Sequence, residues 1–294
     1  MKYELIHRTK YVYDGAVTVS HHLARLAPRR LPTQTCPWHH LEIRPEPVGK
    51  GVHEDPYGNI TAYFEIEGLH SELEVTAHSF VDVSSTEHPE PSATPPWESV
   101  RNGCQAHELT PGSEAGMFRF ASPMVPVSQD FADYARSEFP AGRPILEALI
   151  ALNAKIHREF KFDTRATDVA TPVTEVLKKK AGVCQDFAHL MLGCLRSLGL
   201  PSRYVSGYLE TKPPAGQARL TGADASHAWV SLFCGEAVGW VDADPTNNIL
   251  PGERHITVAW GRDFSDVSPL RGVTLGAGGQ TLQVAVDVIP VEDS

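Results

Sequence analysis

The chain is sparing with cysteine, with basic charge and with long apolar runs. Its 294 residues hold five cysteines, Cys36, Cys104, Cys184, Cys194 and Cys234. An odd, widely scattered set is no disulfide framework, and the lack of any C-x-x-C pair argues against thiol redox chemistry. No stretch approaches the length of a membrane-spanning helix. The opening MKYELIHRTK has no apolar core of the length a secretory signal needs. A cytoplasmic location is therefore expected. Lysine and arginine total 26 against 36 aspartates and glutamates, a net charge of −10. The longest basic run is Lys178–Lys180. Neither nucleic acid nor an anionic membrane is an expected partner. Metal-ligand motifs are missing too. His21-His22 and His39-His40 have no C-x-x-C, H-E-x-x-H or carboxylate partner at ligand spacing, no acidic calcium loop is present, and GAGG (276–279) lacks the strand and helix of a phosphate loop. No metal or cofactor is expected.

What is present is an ordinary globular composition, 41% hydrophobic and 21% charged. Residues 1–84 read as β-structure. Tyr3, Leu5, His7, Thr9, Tyr11 and Tyr13 alternate with mostly polar neighbours, and 19–27, 38–44, 59–67 and 70–84 are further strand candidates. DPYGN (55–59) marks a turn. Residues 85–125 begin with a proline-rich run and read as a linker or long surface loop. From 126 the period changes. Helices are expected from Ser128 to about Glu138, Pro144 to about Phe160, Thr171 to near Gly182, and Cys184 to Leu198, the last closed by Gly199 and Pro201. Strands follow at 203–209, 227–233 and 239–244, with a loop, TKPPAGQARLTGADAS, between the first two. Residues 251–294 carry strand-like runs at 255–260 and 282–289 and read as a C-terminal β extension. Helices grouped first and strands second indicate an α+β core over 126–250, with the extension packing on it or on the N-terminal region.

Three segments carry candidate chemistry. AGVCQDFAHL (181–190) places Cys184 at a helix start, where the backbone dipole favours a thiolate. SHAWVSLF (226–233) starts a strand with His227. GWVDADPTN (239–247) offers two acids, Asp242 and Asp244, on one strand face. If Phe233 pairs with Trp240, Ser231 faces Asp242, and Asp244 becomes the diagonal neighbour of His227, within side-chain reach. Asp244 is the preferred acid and Asp242 the alternative. A nucleophile, a base that contacts it and an acid that orients the base form a working set for acyl transfer. Cys194 lies on the apolar face of its helix and suits packing, Asp186 suits helix-start stabilisation, and His189 reads as structural. The backbone N–H of Cys184 is one candidate donor to an oxyanion; a second is sought in HREFKFD (157–163) or at Gln185.

The strings GVCQDFAHLMLGCLRSLGLPSRYVSGYL, SHAWV and GWVDADPTN resemble the transglutaminase-like fold of the papain-like cysteine enzymes, over about residues 145–250. The β-rich N-terminus and VAWGRDFSDVSPLRG (258–272) resemble the flanks of bacterial transglutaminase-like proteins. The resemblance implies an α+β papain-like core, a helical part plus an antiparallel sheet, with an N-terminal all-β region. It also implies that Cys184 is the nucleophile, His227 the base and Asp244 the orienting acid, and that the substrate is a peptide or protein. Hydrolysis through a thioester acyl-enzyme is the expected reaction. Acyl transfer to an amine, or non-catalytic peptide binding on the same fold, are the alternatives.

Overall fold

The computed structural model describes residues 1–85, 87–106, 114–211, 226–276 and 278–291. The chain opens with β1 (Lys2–Ala24), β2 (Gln34–Arg44), β3 (Gly49–Glu54) and β4 (Ile60–Val83). Helices α1 (Trp97–Ala106), α2 (Gln129–Arg136) and α3 (Ile145–Glu159) follow. Then come β5 (Lys161–Phe162), α4 (Val173–Lys179), β6 (Ala181–Gly182) and α5 (Cys184–Ser197). The remainder is β7 (Ser202–Leu209), β8 (Ser226–Phe233), β9 (Trp240–Ala243), β10 (His255–Gly261), α6 (Phe264–Val267), β11 (Leu270–Leu275) and β12 (Gln280–Val291).

Two antiparallel sheets organise these elements. In the first, β11, β1, β4 and β2 lie in that order, while β12 also pairs with β1 and β3 with β4. The separate strands expected at 3–13 and 19–27 are one continuous β1, with irregular register between Val12 and Val19. The candidates 59–67 and 70–84 likewise fuse into β4. Pairing continues past these irregularities, so the side-chain period breaks in the sequence where the strand itself does not end. The DPYGN turn is held by Asp55, which accepts from the backbone N–H of Tyr57 and Asn59 and pairs with Arg25 at 3.0 Å. The second sheet has the order β10-β7-β8-β9. Helix α5 packs on β7 and β8 and is surrounded by α2, α3 and α4. Nearly every residue from Asp186 to Arg196 is buried, so α5 is a central helix without a solvent face.

Two boundaries differ from the sequence-based expectation. The segment 85–125 is not simply a linker, since it contains α1, with Trp97 and Val100 buried in the main core. The core sheet also reaches beyond residue 250, because β10 pairs with β7, whereas β11 and β12 return to the first sheet. The loop expected at 211–226 falls almost wholly outside the described residues.

The two sheets share one apolar core: Tyr3, Leu5, Val81, Val286 and Val288 from the first join Leu149, Met191, Tyr208 and Val230 from the second part of the chain. Buried polar groups join them as well. His7 Nδ1 lies 2.7 Å from the Tyr208 hydroxyl, and its Nε2 lies 3.0 Å from the Thr9 hydroxyl. The Gln34 side chain accepts from Thr257 N–H and donates to Thr257 C=O, both at 2.8 Å. Asn59 does the same at Trp260, at 2.9 and 2.8 Å. Each amide thus imitates a neighbouring strand along the outer edge of β10.

Candidate active site

Cys184 is the first residue of α5, where backbone donors have no partner within the helix. The entry to that helix is fixed from inside. The buried carboxylate of Asp186 accepts from Val183 N–H at 2.8 Å and from the Thr167 hydroxyl at 2.6 Å. Burial nevertheless pushes its pKa up, since these bonds compensate only part of the lost hydration. A side chain at Gly182 would meet Asp186 Oδ2 at 2.5 Å, so the residue before Val183 must be small. The segment 157–163 runs alongside: Lys161 and Phe162 pair with Ala181 and Gly182, and Asp163 N–H donates to Gly182 C=O at 2.9 Å. The Gln185 side-chain amide donates to Val169 C=O at 3.5 Å.

The hairpin register places the other two groups. Phe233 pairs with Trp240 and Ser231 with Asp242, as the sequence argument assumed. His227 Nε2 reaches Asp244 Oδ2 at 2.7 Å. Asp242 is engaged elsewhere, accepting from Trp229 Nε1 at 2.9 Å. Cys184 stands close enough to His227 to raise the pKa of that imidazole, and with Nε2 on the carboxylate it is Nδ1 that remains for the thiol. Burial works against an imidazolium at His227, but hydrogen bonds to Asp244 and Cys184, and their charges, raise its pKa to about 10. Burial opposes the Asp244 charge too, and hydrogen bonds from His227, His255 and Asn247 hold that carboxyl well below the usual carboxylate range.

Asp244 is fully buried and satisfied on both oxygens. Oδ1 accepts from the N–H groups of Thr246 and Asn247, at 2.9 and 3.2 Å. Oδ2 accepts from His227, from Asn247 Nδ2 at 2.7 Å and from His255 Nε2 at 3.2 Å. The DPTN turn is tied to α3 through His157 Nδ1, 2.9 Å from Thr246 C=O.

Sequence reasoning missed His255 and Asn247. A signal for His255 existed: HITVAW repeats the pattern of SHAWVS, a histidine opening a buried strand. Its register beside Asp244 comes from β7, which pairs with both β8 and β10. The ligand atoms of His227, Asp244 and His255 lie within 4.8 Å of one another, a set that would suit a transition metal. Here the hydrogen bonds just described already satisfy the carboxylate.

The remaining expectations separate cleanly. His189 is buried, with Nε2 accepting from Phe264 N–H at 3.2 Å, and burial lowers its pKa to about 4. Cys194 is fully buried among apolar groups, and burial raises its thiol pKa and also that of Cys234, the latter to about 12. The His21-His22 and His39-His40 pairs lie on β1 and β2 of the first sheet, not on the elements that carry Cys184, His227 and Asp244.

Residues 134–245 match the transglutaminase-like superfamily, and residues 3–82 match the bacterial transglutaminase-like N-terminal region. The chain belongs to the transglutaminase-like superfamily. It is 39% identical to an uncharacterized protein of Mycobacterium tuberculosis over 99% of this chain and 93% of that one. An uncharacterized protein of Mycobacterium leprae is 33% identical over 97% of both. A protein-glutamine gamma-glutamyltransferase of Pseudomonas aeruginosa is 31% identical across 34% of this chain and 16% of its own length. A crystal structure from Cytophaga hutchinsonii, described as a candidate cysteine protease, shares the fold. It has a TM-score of 0.72 at 18% identity and covers all of this chain and 92% of that one. The shared fold therefore extends through both sheets. No described helix is long and apolar enough to cross a membrane.

Proposed function

We propose that the chain is a cysteine-dependent peptidase or amidase, with Cys184 as nucleophile, His227 as base and Asp244 as the group that orients and charges the base. One observation carries this reading: His227 is held by Asp244 at 2.7 Å and lies near enough to the helix-start thiol of Cys184 for the two to interact electrostatically. Packing alone would not require an imidazole between a helix-start thiol and a buried carboxylate. In the reaction, the Cys184 proton moves to His227 Nδ1, and the sulfur attacks the amide carbonyl carbon. The oxygen takes the negative charge, facing the free N–H of the first turn of α5. His227 then gives its proton to the departing amine as the C–N bond breaks, leaving a thioester. Water, deprotonated by His227, cleaves the thioester, releases the acid and restores the thiol. Asp244 keeps its charge throughout and holds the proton on His227 Nε2 whether the imidazole is charged or neutral.

The substrate in this reading is a peptide or protein. A reducing compartment such as the cytoplasm suits it, since the five cysteines are free. Transfer to an amine is the second reading, favoured by the similarity to the Pseudomonas aeruginosa transferase over 109 residues. The test is to incubate the protein with a peptide mixture and a labelled primary amine, then identify adducts by mass. An acyl group on Cys184 that is absent from Cys184→Ala supports the mechanism, and label in the product selects the amine as acceptor. A wild-type protein that never acquires an adduct, and whose Cys184 is alkylated no faster than Cys36 or Cys104, overturns it.

A further inference from the structure

The carboxylate that holds His227 is shared. We propose that His255 is a positioning residue for the site: its Nε2–H takes part of the charge on Asp244 Oδ2 and so limits how strongly that oxygen holds the His227 proton. This rests on the reading of Cys184 and His227 as nucleophile and base.

Three observations carry it. His255 Nε2 lies 3.2 Å from the same oxygen, Oδ2, that receives His227 Nε2 at 2.7 Å. An ionised carboxylate is acceptor-only, so His255 must present Nε2–H there. The ring is held for that purpose. It is buried, its edge meets the Trp229 indole at 5.2 Å and 81°, and its backbone N–H donates to Gly252 C=O. The strand that carries it cannot drift, since Gln34 and Asn59 grip β10 at Thr257 and Trp260. Orientation of Asp244 does not depend on His255, because the Thr246 and Asn247 N–H groups already fix Oδ1. What His255 adds is a second imidazole on the oxygen facing the base.

The chemical consequence concerns the second half of proton transfer. His227 must accept a proton from Cys184 and later release it to the leaving amine. A carboxylate with no competing donor strengthens the first step and weakens the second. A donor on the same oxygen lowers the carboxylate's pull and returns acidity to the imidazolium. Among the described residues, the other ionisable groups near the pair have partners of their own. Cys184 faces His227 from α5, His157 is bonded to Thr246 C=O from α3, Asp242 on β9 is held by Trp229, and Glu210 at the end of β7 pairs with Arg254 at 2.7 Å. On α6, Asp266 pairs with Arg262 at 2.8 Å.

The test uses the full chain labelled with 15N-histidine. His227 is titrated by NMR in the wild type, in His255→Phe, which keeps a ring against Trp229 but has no donor, and in His255→Gln, whose amide N–H restores one. Alkylation of Cys184 by iodoacetamide is followed alongside. The expected result is that the His227 imidazolium of His255→Phe is a weaker acid by about three- to tenfold, the scale of one ordinary hydrogen bond. His255→Gln overlays the wild type. Once a substrate is known, His255→Phe lowers kcat with KM unchanged. A His227 titration in His255→Phe that superimposes on the wild type overturns the proposal. So does a change in His255→Gln equal to that in His255→Phe, since the ring and not the donor would then matter. If His255→Phe does not fold, His255→Met against His255→Gln makes the same comparison. Rapid alkylation of wild-type Cys184 with no effect of His255 removes this inference alone, whereas an unreactive wild-type Cys184 removes the proposed function.

Discussion

The Trp229 indole N–H donates to Asp242 at 2.9 Å, and that bond divides the labour between two acids on one short strand segment. Asp242 supports the indole. Asp244, two residues on, supports the imidazole. The two should therefore respond differently to the same substitution.

Asp244→Asn is expected to slow Cys184 alkylation at neutral pH by about 100-fold or more, the scale of a lost acid–base partner. Asp242→Asn, which still offers an oxygen to Trp229, leaves that rate close to wild type and affects mainly thermal stability. Iodoacetamide kinetics on the two variants make the comparison. Equal effects would mean that the assignment of Asp244 is wrong.

Stability should depend on pH from both sides. His227 binds its proton more tightly in the folded chain, with a pKa of about 10, than at its unperturbed value near ~6.5. Protonation there favours folding, so the contribution is complete below about pH 6.5 and is lost as pH rises toward 10. Asp244 is depressed instead, so its contribution is complete above about pH 4 and is lost as pH falls. His7, His22 and His189, lowered to about 4 by burial, add to the acid-side loss from about pH 6.5 downward. Melting temperature recorded across pH should decline toward both extremes, and Asp244→Asn should flatten the alkaline arm. An alkaline arm unchanged in that variant contradicts the coupling.

Asp186→Ala should destabilise the fold by about 1–3 kcal/mol, because the N–H of Val183 and the hydroxyl of Thr167 lose their acceptor. Cys184 alkylation should slow as well, since the helix entry is no longer pinned. Chemical denaturation and alkylation rates together check this. Lost stability with unchanged Cys184 reactivity would confine Asp186 to packing.

Gly207 stands opposite His227 in the sheet, and a Cβ there would lie 2.1 Å from Ile256 C=O and 2.6 Å from the Trp229 ring. Gly207→Ala should cost about 1–3 kcal/mol or more through overpacking. It should also disturb the ring contacts of His255 with Trp229, visible as shifted histidine resonances. A neutral outcome in denaturation would show that β7 and β10 can separate freely.

Much of the site was legible because its parts lie in short strings with local rules. The helix start before Cys184, the strand opening at His227 and the turn after Asp244 are set by neighbours within a few residues. The Phe233–Trp240 register is assumed from the sequence, and the hairpin adopts it. What escaped was long-range. His255 is eleven residues beyond Asp244 and reaches it only because β10 pairs with β7 and not with β9. The continuity of β1 and β4 was hidden by bulges, where alternation of side chains slips while pairing persists. Helix α1 was masked by the prolines before it, which end at Pro96, one residue short of the helix.

The amides of Gln34 and Asn59 have a further effect, on what the molecule can join. An outermost strand normally offers its backbone to any extended chain, its own copies included. At Thr257 and Trp260 those positions on β10 are already occupied, by side-chain amides whose other bonds turn back to Arg29 and Asp55 of the same chain. The ladder stops there. Self-association by adding strands has to begin at some other border of the molecule, and Gln34→Ala or Asn59→Ala would reopen this one.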